Sequence, residues 1–273
     1  KVVASGMGAL GSQVFMNMLR SGFGKWTVVD NDHLLPHNLA RHYLSGGAVG
    51  WPKAKTMAFT ANGTIEGEKI ATPIVADLLK SGSSEPLTKA LGEAELIFDF
   101  SASVPVARHL ARGIESNGRR ISFFLNPAGK DSVLLAEDEK RTISLDCLEM
   151  QYYRHLANEE SLGGHLEAAS AFRYGASCRD VSSKMPQDLV ALHAAIGSKA
   201  IRSAASSKGA SINLWRSDPE TMGVTHHAFE PAPMIEVKGH NAATVASRPA
   251  WAAIPDVLVR STPYKLMSHP SSN

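Results

Sequence analysis

A doubly wound α/β fold, with a mixed sheet covered by helices on both faces, is predicted by three observations. An apolar strand at residues 1–5 runs through Gly6-Met7-Gly8-Ala9-Leu10-Gly11 into an amphipathic helix. Nineteen residues beyond Gly11, a second strand at 26–29 ends in Asp30. Strands and helical stretches then alternate along the chain, as in strand–helix–strand units that build a largely parallel sheet.

The glycines have separate mechanical tasks. Gly6 suits a tight exit from the strand, Gly8 an approach of backbone N–H groups to phosphate, and Gly11 close packing of helix on sheet. The helix start adds unpaired amides and the positive end of a dipole. Asp30, at the tip of the second strand, is placed to accept hydrogen bonds from ribose hydroxyls. A lone glycine motif also arises from coincidental turns. Strand, helix and distant acid together point to a Rossmann-like nucleotide site.

The later elements follow in order. Residues 14–19 form the body of the first helix, 53–61 open another, and 70–75 read as a short strand. Residues 77–91 read as helical with a break at 81–84, and 104–115 as a helix with Pro105 in its first turn, where a missing N–H costs nothing. Strands are expected at 121–125 and 132–136, joined by the turn Asn126-Pro127-Ala128-Gly129. Apolar spacing predicts helices over 145–156, 162–172 and 186–204. The domain reading is 1–245 as one nucleotide-binding unit with a helical insertion at about 137–185, followed by an extension at 246–273 that is Ser-, Pro- and polar-rich from Ser261.

Composition narrows the class. At 273 residues and 44% hydrophobic, the chain can bury one large core, or a main domain with a small appendage. A formal net charge of +2 gives no basis for nucleic-acid or membrane-surface binding. No run approaches the roughly 18 apolar residues of a membrane helix. The chain opens inside its first strand without an initiating Met, which reads as a piece of a longer protein. Two cysteines, Cys147 and Cys178, argue against a disulfide framework, and the cytoplasm is the expected compartment. They stand 31 residues apart rather than in Cys-x-x-Cys pairs, so no zinc is expected.

After Asp30 the chain departs from a redox dinucleotide unit. Asp30-Asn31-Asp32 is followed by Asn38-Leu39-Ala40-Arg41-His42 and Val49-Gly50-Trp51-Pro52-Lys53-Ala54. An amide and two cations are thereby added. A guanidinium forks onto phosphate oxygens and an ammonium acts as a point charge. Together they suit a triphosphate whose charge shifts during reaction.

These motifs resemble the E1-like (ThiF/MoeB/ubiquitin-activating) adenylyltransferases, with His42 where glutamine is usual. The resemblance resumes over 96–110 and from Cys178 through Gly197-Ser198-Lys199-Ala200, and so covers roughly residues 1–230. It implies Asp30 and Asp32 at the nucleoside end, Asn38, Arg41 and Lys53 on ATP phosphates, and Gly6, Gly8 and Gly11 in the phosphate loop. It implies a homodimer as well. The pattern Asp99-Phe100-Ser101-Ala102-Ser103 is similar to a bacterial branch associated with ubiquitin-like proteins, E2-like proteins and JAB-type isopeptidases.

Two residues carry paired readings. The family's Asp-x-x-Asp usually holds magnesium through its second acid, but here Ala102 occupies that position. Asp99 either serves the metal, directly or through water, or orders the strand end and the following helix. Cys178 lies in a polar loop before the last long helix, where the family's acyl-accepting cysteine is found. Arg179 and a helix start would favour its thiolate; alternatively it is a small buried apolar residue. Cys147 sits on an amphipathic helix and reads as packing.

Three functions are weighed. The first is ATP-dependent adenylation of the C-terminal carboxylate of a ubiquitin-like or sulfur-carrier protein, followed by thioester formation on Cys178. The second is a nucleotide-binding scaffold without turnover, motivated by Ala102. The third is a nicotinamide-dependent oxidoreductase, which Asn38, Arg41 and Lys53 speak against.

Overall fold

Short strands with alternating apolar residues set the architecture. In chain order the elements begin with β1 (Val2–Ser5), α1 (Ala9–Arg20), β2 (Trp26–Val29), α2 (Lys53–Thr64), β3 (Ala71–Ile74), α3 (Glu85–Gly92), β4 (Leu96–Asp99) and α4 (Val104–Arg112). They continue with β5 (Arg119–Leu125), β6 (Asp131–Ala136), α5 (Leu145–Asn158), β7 (Ala171–Arg173), β8 (Val181–Ser183), α6 (Gln187–Ser206), β9 (Ser211–Ser217) and β10 (Val224–Phe229). This computed structural model describes residues 1–65, 67, 69–167 and 185–232, with backbone alone at 171–173 and 181–183. All of these fall in one compact unit, Lys1–Met234.

The main sheet has eight strands in the order β10-β9-β6-β5-β4-β1-β2-β3. From β3 to β5 the pairing is parallel; β6, β9 and β10 add an antiparallel flank. The sheet is therefore mixed and wound in both directions from β1. Side chains two apart share a face. Val2, Ala4, Val28, Phe98 and Phe123 join Val14, Phe15, Met57, Ala194 and Ile201 of α1, α2 and α6 in one core. Val3, Val29 and Ile97 face the other way, onto Leu87, Leu91, Val106 and Leu110 of α3 and α4. Val133, Leu135, Ile212 and Leu214 pack on Leu145, Leu148 and Tyr152 of α5.

Two consecutive buried arginines fasten this arrangement. Arg119 donates to the carbonyls of Ala204 at 2.7 Å and Gly209 at 2.9 Å, at the end of α6. Arg120 donates to the carbonyls of Leu110 at 3.1 Å and Ile114 at 3.0 Å, at the end of α4. Neighbours on a strand point to opposite faces, so each closes one helix C-terminus, where cations complement orphan carbonyls. The strand accordingly starts two residues earlier than its apolar run.

One expected element is not found among the described residues. The helix read over 162–172 is instead a 3-10 turn, Glu160–Leu162, followed by Gly163 and Gly164, then β7. Gly164 adopts φ +74°, which ends helical geometry. β7 pairs antiparallel with β8 as a small second sheet. Among the described residues no helix is long and apolar enough to cross a membrane.

Candidate functional site

Strand order reverses between β1 and β4, and a crevice opens at the C-terminal ends of such strands. There a cleft of about 190 Å³ is lined by Ser5, Gly6, Gly8, Asp30, Asp32 and Lys53, with Ser101 from the β4 side. Gly6 leaves β1 at φ +86°, and a Cβ there would stand 2.6 Å from the Ser101 nitrogen. Gly11 is equally constrained, since a Cβ would press on the Gly6 carbonyl and lie 2.9 Å from Phe100 Cβ. A Cβ on Gly8 would meet nothing within 4 Å, although Gly8 lines the cleft. Gly6 and Gly11 are thus required by protein packing, and Gly8 is left for a visitor.

Asp30 organises both the loop and the cleft. Its Oδ2 accepts from the Met7 N–H at 2.6 Å and its Oδ1 from the Asp32 N–H at 2.8 Å. Burial pushes its carboxyl above the usual range, opposed by the Asp32 N–H and by Lys53. Each carboxylate oxygen retains a second lone pair for a hydroxyl. Lys53, the first residue of α2, is buried, and its Nζ lies 3.2 Å from Asp32 Oδ2. The Lys53 N–H also donates to the Asp32 carbonyl at 2.9 Å. This pair holds a cation beside the glycine loop.

Asn38 and Arg41 stand on the neighbouring segment and are not among the residues lining the cleft. Asn38 Oδ1 accepts from the Leu35 N–H at 2.9 Å and so closes its own 3-10 turn, Pro36–Asn38. The Arg41 carbonyl accepts from Gln13 Nε2 at 2.9 Å, which ties the segment to α1. The Tyr43 N–H donates to Ser12 Oγ at 3.2 Å. His42 is buried, with Nε2 2.7 Å from the Met7 carbonyl and Nδ1 accepting from the Leu44 N–H at 3.1 Å. Burial, aided by Lys53, brings its imidazole down to about 4 against the pull of the Met7 hydrogen bond. The ring is neutral at pH 7.

Asp99 lies behind the Ser101 wall. Its Oδ1 accepts from the Ser101 N–H at 2.9 Å and the Ser101 hydroxyl at 2.6 Å; Oδ2 accepts from the Ser122 hydroxyl at 3.3 Å. Burial raises this carboxyl above its ordinary range, against those hydrogen bonds. Ala102 has φ +52°, a left-handed conformation uncommon for alanine. Among the described residues no group of three His, Cys, Asp or Glu side chains is gathered for a metal. Cys178 lies outside the described residues. Cys147, half-buried on α5, accepts from the Ser144 hydroxyl at 3.3 Å.

Sequence reasoning missed Gln13 and the chemistry of His42, whose partners are 28 and 35 residues away. It also missed a buried chain under α5. Asp131 Oδ2 pairs with His165 Nδ1 at 2.6 Å and Arg216 at 2.8 Å, and His165 Nε2 meets the Tyr152 hydroxyl at 2.6 Å. No sequence spacing links these four residues.

The fold is similar to that of solved structures with low sequence identity. E. coli MccB with succinimide has 16% identity and a TM-score of 0.56, covering 84% of this chain and 63% of that one. E. coli MccB with ATP has 17% identity and a TM-score of 0.57, covering 85% and 64%. Selenomethionine-labelled PaaA has 13% identity and a TM-score of 0.54, covering 84% and 64%. The chain therefore spans somewhat less than two thirds of each of these proteins. No curated protein matches it. Residues 1–117 match the ThiF family.

Proposed function

We propose that this protein uses ATP to adenylate the C-terminal carboxylate of a protein or peptide. The observation that carries the reading is the convergence of Gly6, Gly8, Asp30 and Lys53 on one cleft. The structural neighbour solved with ATP supports the nucleotide. The neighbour solved with N-formylated MccA supports a second, macromolecular reactant.

Asp30 takes the ribose, and the glycine loop takes the phosphates against the start of α1. Lys53 exchanges Asp32 for the triphosphate, and Arg41, from the adjoining segment, takes charge at the departing end. A carboxylate oxygen attacks the α-phosphorus, the bond between that phosphorus and the α,β-bridging oxygen breaks, and pyrophosphate leaves. The chain supplies position and charge neutralisation rather than covalent chemistry.

Magnesium fits as a guest of the triphosphate. Both lone pairs of Asp99 Oδ1 are used by Ser101, whereas Oδ2 accepts one bond only. Asp99 is buried behind Ser101 and does not line the cleft, so it would serve the metal only through water, with phosphate and water supplying the direct ligands. Bound there, magnesium would neutralise phosphate charge.

In a second step the Cys178 thiolate attacks the acyl carbon and AMP leaves, giving a thioester. A ubiquitin-like or sulfur-carrier protein is the proposed substrate, an E2-like cysteine the proposed acceptor, and a JAB-type isopeptidase a further partner. A homodimer in which one copy's arginine completes the other's site belongs to the same proposal. The rival reading, a scaffold that binds nucleotide without turnover, draws on Ala102 in place of an acid.

ATP–pyrophosphate exchange in the presence of carrier candidates tests the proposal. Wild type should exchange, and Arg41→Ala should slow exchange about 30- to 1000-fold. Nucleotide binding with no exchange for any carrier would favour the scaffold.

A further inference from the structure

The backbone of Arg41 is held on both sides. Its N–H donates to the Asn38 carbonyl at 3.0 Å, and its carbonyl accepts from Gln13 Nε2 at 2.9 Å. The next two residues are fastened to the same neighbour, His42 through the Met7 carbonyl and the Tyr43 N–H through Ser12 Oγ. Residues 41–43 therefore run beside the glycine loop and the start of α1. Arg41 does not line the cleft, so the reach of its guanidinium depends on where its backbone is anchored.

Gln13 makes one tie that the others do not. It follows Gly11 by two residues on α1 and is only 8% exposed. Its amide nitrogen carries two N–H groups. One donates to the Arg41 carbonyl and the other to Gln187 Oε1 at 3.1 Å. Gln187 is the first residue of α6 and lies 174 residues further along the chain. The Arg41 carbonyl also fixes which way the amide points, because a flipped Gln13 would set oxygen against oxygen. The glycine-loop helix, the Arg41 segment and the start of α6 thus meet at one nitrogen.

Packing does not require this arrangement. α1 and α6 already share a core through Val14, Phe15, Ala194 and Ile201. A buried amide gives up its water and returns a modest net gain per hydrogen bond. Orientation is what it adds.

We propose that Gln13 is a positioning residue for adenylation: it sets Arg41 toward the departing phosphates, and Gln187 holds Gln13 in that pose. This role rests on the adenylation reading, which puts Arg41 on ATP. Misplacing a positioned group by about 1 Å is enough to cost much of its effect. AMP lacks the β- and γ-phosphates and so does not sense Arg41. A loss confined to ATP therefore separates positioning from general loosening of the fold, which weakens both nucleotides.

Calorimetric titration with magnesium–ATP and with AMP tests this on wild type, Gln13→Met, Gln187→Met, Arg41→Ala and the Gln13→Met, Arg41→Ala double variant. Methionine keeps the length of the side chain and removes the donor. Gln13→Met should lower ATP affinity about 3- to 10-fold and leave AMP within about 2-fold. In the Arg41→Ala background the same change should cost nothing further, as expected for residues that act as one unit. Gln187→Met, at an exposed residue, leaves the bond to Arg41 in place and should give a smaller loss, again for ATP alone. It keeps the proposal testable if Gln13→Met does not fold. ATP and AMP weakening together would overturn the proposal, as would a Gln13→Met loss that adds in full to Arg41→Ala. A response to Arg41→Ala with none to either glutamine variant would overturn the positioning role and leave adenylation standing. ATP affinity indifferent to Arg41→Ala would instead remove Arg41 from the phosphates, and the role of Gln13 with it.

Discussion

His42 holds Met7 in place: its Nε2 donates to the Met7 carbonyl at 2.7 Å. The donor is assigned by geometry, since Nδ1 accepts from the Leu44 N–H at 3.1 Å and the other nitrogen must carry the proton. The Met7 N–H meanwhile donates to Asp30 at 2.6 Å. The central residue of the glycine loop is therefore gripped on both sides, and a protonated imidazole would turn a second N–H toward that of Leu44.

The pH dependence follows. His42 falls to about 4 from 6.5, so the unfolded chain takes a proton that the folded one refuses. Its contribution is present above pH 6.5 and lost as pH falls through about 4. The loss is on the order of 3 kcal/mol. His42→Gln keeps an amide donor for Met7 and removes the titration. Urea midpoints should show wild type losing more stability than His42→Gln between pH 7 and 4; equal losses would remove His42 from the account.

The two glycines should separate stability from binding. Gly6→Ala places a Cβ 2.6 Å from the Ser101 nitrogen at φ +86° and should cost at least about 2 kcal/mol. Gly8→Ala, at φ −79° with open space around it, should fold with stability within about 1 kcal/mol of wild type. Its nucleotide affinity should nevertheless drop. Thermal unfolding paired with an ATP titration reads both. A Gly8→Ala protein that binds ATP as wild type does would show that the loop is not the phosphate cradle.

The Asp131 chain should be structural. Burial raises this carboxyl, but hydrogen bonds from His165 and Arg216 outweigh it and hold the group below the usual range. Its stabilisation is present above pH 3.8 and lost as pH falls through the lower folded value. Asp131→Ala leaves His165 and the half-buried Arg216 facing an emptied site and should cost about 3–5 kcal/mol. Denaturant unfolding at pH 7 checks this; a loss under 1 kcal/mol would mean that the chain is dispensable.

Legibility followed distance along the sequence. Gly6, Gly11 and Asp30 were readable because strand, turn and helix impose their requirements within a few residues. Lys53 was readable through family resemblance, and the structure places it on the cleft wall beside Asp32. Arg119 and Arg120 were left outside their strand because charges in a core look wrong until the ends of α4 and α6 are seen beside them. The helix expected at 162–172 failed because two adjacent glycines outweighed an apolar periodicity. Asn38 and Arg41, placed by resemblance, are not among the residues that line the cleft.

Cys178 and Cys147 should differ in their part in acyl transfer. Cys178→Ala should still form the acyl adenylate but no thiol-sensitive adduct with a carrier, because a methyl group cannot attack the anhydride. Cys147→Ala should lose little stability and keep the adduct. Non-reducing gels with ATP and carrier decide it, and an adduct that depends on Cys147 rather than Cys178 would reverse the assignment.

The cleft at Gly6, Gly8, Asp30 and Lys53 is expected to take ATP in preference to NAD. Calorimetric titration of wild type and Lys53→Ala with magnesium–ATP and with NAD tests it most directly. ATP should bind at least about 10-fold more tightly than NAD, and Lys53→Ala should weaken ATP binding on the order of 10- to 100-fold, as expected for one lost charge-assisted contact. NAD binding as tight as ATP, or ATP affinity indifferent to Lys53, would contradict it.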